Sequence, residues 1–175
     1  KPIVGCELNV SPTTRFDKDP HRPETRGHHL VLLARDFAGY RNLCRLVSAA
    51  HLEGFWYKPR IDKEILAQHA AGLVGMSACL KGQIAEMIQA KRLREAKRAL
   101  GQYLEIFGRE HFFLEVMDHG LSEQAEVNRE LVLLSREFDV PLVATNDVHY
   151  LRREHARAHD LLLCIQTRSM VADQQ

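Results

Sequence analysis

The feature that most constrains this chain is its alternation of short apolar runs with segments whose apolar residues recur at helical spacing. Five runs have the length and composition of strands: 3–10, 29–34, 72–77, 111–117 and 141–145. Asp36 is placed to cap a helix with Tyr40, Leu43, Cys44, Val47 and Ala50 on one stripe, stopping near Gly54, which puts Cys44 in the core. Asp62 caps a shorter helix with Ile65 and Leu66. Further helices are expected over 83–90, 93–107, 122–138 and from about Arg153 to Cys164. The stretch 11–27, with three prolines and many charges, reads as a long loop, and 166–175 as the start of a linker.

Such alternation predicts a single α/β domain over 1–175, built on a largely parallel sheet with buried strands. A closed (β/α) barrel needs roughly 200 residues or more, so 175 residues make only part of one. Sites in these folds gather at the carboxyl ends of the strands. Cys79 lies there after the third run, Asp118 and His119 after the fourth, and Asp147 and His149 after the fifth. In the first run, Glu7 and Asn9 point away from Val4, Cys6 and Leu8. Pairing of the first two runs as a hairpin would bring His28 and His29 within reach of Glu7.

Charge argues for no partner by itself: 24 basic and 23 acidic residues leave a net charge of +1. No run of 18 apolar residues and no secretion leader is present, so a cytoplasmic setting without membrane contact is expected. Cys6, Cys44, Cys79 and Cys164 form no Cys-x-x-Cys pair and suggest no disulfide framework. Lys1 opens the chain where a Met would be expected, so it reads as a piece of something longer.

The ten histidines carry more information than the charge balance. In Asn146-Asp147-Val148-His149, an acid and an imidazole two apart in an extended segment project to one side and can bind a cation. Asp147 as a turn cap fits the same spacing. Company favours the metal: Glu7, His29 and Cys79 fall on the same expected rim. Two bland alternatives remain open, Glu7 as a buried partner of an arginine and Cys79 as a small core residue. His119, in a Met-Asp-His-Gly turn, is a possible substrate contact, although Asp118 and Gly120 already explain the turn. His28 reads as an exposed neighbour of His29, and His159 as structural. Mixed imidazole, carboxylate and thiolate donors suit zinc or manganese, and such clusters commonly activate water against phosphoesters.

Several stretches together resemble the PHP (polymerase and histidinol phosphatase) domain of the bacterial C-family replicative polymerases, the DNA polymerase III alpha subunits. They are Lys1 to Glu7, His29 to Ala34 with Gly39 to Leu43, Gly54 to Asp62, Leu73 to Cys79, Phe113 to Glu115, and Pro141 to Tyr150 with His159-Asp160 and Cys164 to Thr167. The resemblance implies a distorted barrel whose rim binds up to three divalent ions. Position by position, it makes Glu7, His29, Cys79, Asp147 and His149 the metal ligands, with Asp147 and His149 at the catalytic centre. The family's His-x-His and its next ligands would precede this chain, so the barrel is expected to lack its first strands and its site to hold metal only partially. The resemblance further implies a parent polymerase with magnesium at a separate polymerase site. Its expected partners are primer-template DNA, a sliding clamp, a clamp loader and a proofreading exonuclease subunit. Two roles fit the domain: a proofreading exonuclease, or a scaffold that stabilises the polymerase.

Overall fold

The computed structural model describes residues 2–21 and 27–172. The end of the expected loop at 22–26 and of the expected linker at 173–175 lie outside the described residues, as does Lys1. Residues 1–145 form one compact unit and 146–175 a second.

The first unit is built on a six-stranded sheet. Its strands are β1 (Gly5–Val10), β2 (His28–Ala34), β3 (Arg60–Ile61), β4 (Leu73–Met76), β5 (Phe112–Val116) and β6 (Leu142–Ala144). They lie in the order β3-β1-β2-β4-β5-β6, an open sheet whose two ends are not joined. The helices are α1 (Phe37–Leu52), α2 (Lys63–Gln68), α3 (Gln83–Gln89), α4 (Leu93–Phe107) and α5 (Ser122–Phe138). The mixed α/β architecture is that of a partial (β/α) barrel.

The sheet is mixed, not largely parallel. β4, β5 and β6 run parallel, as does β1 with β3, but β2 is antiparallel to both β1 and β4. The cause is the hairpin: the described residues between β1 and β2 contain no crossover helix, and antiparallel pairing is what such a connection permits. β3 escaped the sequence reading because two residues carry no periodicity.

Leu8, Val10, Leu30 and Leu32 alternate along the hairpin and are buried on one face, against Leu43 and Leu46 of α1 in the same core. In α1 the buried stripe is Gly39, Asn42, Leu43, Leu46, Ala49 and Ala50. That stripe turns Tyr40 and Cys44 to the outside, so Cys44 is exposed and not the core residue expected. α4 packs Ala96, Ala99, Leu100, Tyr103 and Phe107 inward, with the Tyr103 ring stacked on Phe112 at 5.1 Å. Both predicted caps form: Asp36 accepts from Gly39 N at 2.8 Å, and Asp62 from Ile65 N at 3.0 Å. β6, expected to be buried, ends the sheet and leaves Leu142 38% exposed.

The second unit holds a 3-10 turn over Arg153–His155 and α6 (Ala156–Thr167). Its helix leaves Leu161, Leu162 and Ile165 exposed. No helix among the described residues is long and apolar enough to cross a membrane.

Candidate metal centre

The hairpin supplies the first two corners. Its register pairs Glu7 with Val31 and Asn9 with His29, so Glu7 and His29 are diagonal neighbours on the face opposite the buried leucines. Glu7 Oε1 lies 3.1 Å from His29 Nδ1. Glu7 is 45% exposed, which sets aside the reading of it as a buried carboxylate.

β4 leads to the third corner, the turn after its end. Cys79 Sγ is 3.7 Å from the same His29 Nδ1, and the oxygen, nitrogen and sulfur of the three residues all lie within 4.8 Å of one another. Cys79 is therefore not a core thiol. The turn that presents it is fastened from several sides. Ser77 N donates to Phe113 O at 3.0 Å, Gly82 N to Cys79 O at 2.8 Å, and His29 N to Lys81 O at 2.9 Å. Ala78, with φ +62°, donates its N–H to Glu115 Oε2 at 2.6 Å. Gly82 permits the closure because a Cβ there would run into the Ser77 carbonyl oxygen.

Glu115 is the residue that sequence reasoning missed. It is 4% exposed, its N–H donates to Ser77 Oγ at 2.8 Å, and its other oxygen accepts from Thr145 Oγ1 at 2.9 Å. An acid in the middle of the apolar run 112–116 was the available signal, since a carboxylate buried there requires dedicated donors.

Hydrogen bonds to Cys79 and to Glu7 outweigh the burial that would lower the His29 pKa, and push it up to about 9. The three side chains thus favour positive charge at their centre, and a carboxylate, an imidazole and a thiol are the donor set of a borderline-soft divalent cation. Among the described residues this is the one such cluster. His28 is largely covered, not exposed, with Nδ1 2.7 Å from Glu86 Oε2.

The structure describes Asp147 and His149 within the second unit. The backbone there is not the extended segment expected: Asp147 has φ +47°, a conformation its short polar side chain tolerates, and His149 Nδ1 lies 2.7 Å from the Asp147 carbonyl oxygen. The His159 ring sits 5.6 Å from that of His149 and 5.3 Å from that of Tyr150. His119 is a turn residue: its N–H donates to Gln124 Oε1 at 2.8 Å, and its Nδ1 meets Gln124 Nε2 at 2.8 Å.

Comparison with known proteins accords with this geometry. The chain is 47% identical over 173 residues to the DNA polymerase III subunit alpha of Treponema pallidum (strain Nichols), covering 99% of this chain and 15% of that protein. It is 48% identical over 174 residues to the DNA polymerase III subunit alpha of Thermus aquaticus, covering 99% and 14%. The subunit of the same name from Deinococcus radiodurans is 44% identical over 177 residues, covering 99% and 13%. The chain thus spans 13–15% of the length of these relatives. The sequence model of the PHP domain matches residues 1–119, a span that includes all three corners of the triad, and the chain belongs to the PHP domain family.

Proposed function

We propose that this chain is a metal-dependent phosphoesterase domain of a replicative DNA polymerase alpha subunit, acting as an exonuclease on the three-prime end of a DNA strand. The observation that carries it is the convergence of Glu7, His29 and Cys79, from β1, β2 and the turn after β4, on one point. The likeness to DNA polymerase III alpha subunits over 99% of the chain supplies the substrate class.

In this reading zinc or manganese would be held by Glu7, His29 and Cys79. When bound, such a cation polarises a phosphoryl oxygen and lowers the pKa of water. On binding, Glu7 and the Cys79 thiolate would supply negative charge, with the Cys79 thiol proton and the Nδ1 proton that His29 otherwise holds between them released to solvent. Glu115 fixes the Cys79 turn through Ala78 N, so the thiol needs no reorganisation to take its place. Three protein donors leave positions open for water and substrate, as catalytic zinc sites do. The primer-template, sliding clamp, clamp loader and proofreading subunit are partners of the whole polymerase, whose own catalytic site uses magnesium.

Calorimetric titration with Zn2+ and Mn2+, followed by hydrolysis of an end-labelled oligonucleotide, tests the proposal. Metal uptake and cleavage, both lost in His29→Ala, are the expected result. Uptake without cleavage of DNA or of a small phosphate monoester would make the domain a metal-bearing scaffold. Absence of uptake would remove the metal centre itself.

A further inference from the structure

The triad leaves unexplained an open cleft beside it. His29 also lines a cavity of about 460 Å3 walled by Asn9, Tyr57, Lys58, Lys81 and Glu86. These residues are far apart in the chain and are gathered by the sheet. β1 pairs Asn9 with His29 on one side and with Arg60 on the other, which draws the turn before β3 alongside the hairpin. In that turn Trp56 bridges to Lys58, and Tyr57 stands at the apex with φ +58°. Tyr57 is 65% exposed, with Trp56 edge-on to its ring at 4.8 Å. Lys81 is brought to the opposite wall by the bond from His29 N to its carbonyl.

Charge and shape select the occupant. Glu86, the acid of this wall, is engaged by the His28 ring at 2.7 Å. Lys58 and Lys81 make no ion pair among the described residues. Two ammonium groups and a projecting aromatic ring, beside a cation-favouring cluster, match a single strand of nucleic acid: phosphates meet lysines, and a base meets the ring. We propose that this cleft seats the strand whose end the triad acts on, with Lys58 and Lys81 on its phosphates and Tyr57 stacked on a base. The substrate class rests on the phosphoesterase reading; the choice of residues rests on the cleft.

The test measures binding, not turnover. A fluorescein-labelled single-stranded oligothymidylate is titrated with the protein in EDTA across a salt series, read by fluorescence anisotropy. Lys58→Ala and Lys81→Ala should each flatten the slope of log affinity against log salt by about 0.7, and the double variant by about twice that. Tyr57→Ala should weaken binding about tenfold with the slope unchanged. Lys97→Ala, on α4 and paired with Glu137, should leave both unchanged, and thermal melts confirm that each variant is folded. An oligonucleotide that fails to bind, a slope that survives in the double variant, or inorganic phosphate binding as tightly as the strand would overturn the proposal. Binding with the predicted slopes but no hydrolysis in Zn2+ or Mn2+ leaves the cleft standing and removes the phosphoesterase reading. Hydrolysis with unaltered slopes does the reverse.

Discussion

The buried carboxylate of Glu115 accepts the N–H of Ala78 at 2.6 Å, tying the middle of β5 to the residue that precedes Cys79. Glu115→Ala removes that acceptor and leaves the Ala78 donor buried, at a cost of about 1–3 kcal/mol. The freed turn should also weaken zinc binding by about 10–100-fold, the usual effect of losing a group that orients a ligand. Glu115→Gln keeps an acceptor for Ala78 and should recover most of both losses. Denaturation and zinc calorimetry on the two variants check this. Equal zinc affinity in wild type and Glu115→Ala would mean that the turn holds itself.

His29, with its pKa pushed up to about 9, sets a pH dependence in the metal-free protein. An unfolded histidine titrates near 6.5, so the folded state binds the proton more tightly. The stability this contributes is fully present below about 6.5 and is lost as pH rises through about 9. A cation must displace the same proton, so zinc affinity should keep rising with pH up to about 9 instead of levelling off near 6.5. Proton release on titration, measured in buffers of different ionisation enthalpy, checks it. A plateau beginning near neutrality would place the titrating group elsewhere.

Patterned residues were legible and single exceptions were not. The hairpin followed from alternation in 3–10 and 29–34, and with it the approach of His29 to Glu7, because period-two burial fixes register. The helix caps at Asp36 and Asp62 were legible for the same local reason. Glu115 was not, since its partners Ala78 and Thr145 lie 37 and 30 residues away. Arg60 was equally hidden: it is fully buried in a two-residue strand, with its guanidinium donating to the carbonyls of Gly54, Arg15 and Asp17. Asp147 at φ +47° shows how one left-handed residue defeats a strand-spacing rule that holds elsewhere in the chain.

Edge and centre of the sheet should respond differently to truncation. Leu32 is fully buried between β1 and β4, and Leu32→Ala should cost about 2–5 kcal/mol by leaving a cavity. Leu142 on β6 is 38% exposed, and its truncation should cost clearly less. Urea midpoints of the two variants give the comparison. A larger loss at Leu142 would show that β6 is covered in solution.

Asp62 joins the loop before β2 to the start of α2. Its carboxylate, 2% exposed, accepts from Ile65 N at 3.0 Å and Arg15 N at 2.9 Å, and pairs with Arg15 Nη1 at 3.0 Å. Burial alone would raise its pKa. The N–H donors of Arg15 and Ile65, together with the Arg15 guanidinium, outweigh that and hold it below the usual carboxylate range. A carboxylate depressed on folding stabilises the protein above its unfolded pKa of about 3.9, and that contribution is lost as pH falls through the lower native value. Asp62→Asn keeps the shape but removes the charge from a buried pair, so it should cost about 3 kcal/mol near neutrality. The gap between variant and wild type should then close once the medium is acid enough to protonate Asp62 itself. Urea midpoints measured from pH 7 down to about 2 follow that closure, and a gap that stays constant throughout would assign the role of Asp62 to its hydrogen bonds alone.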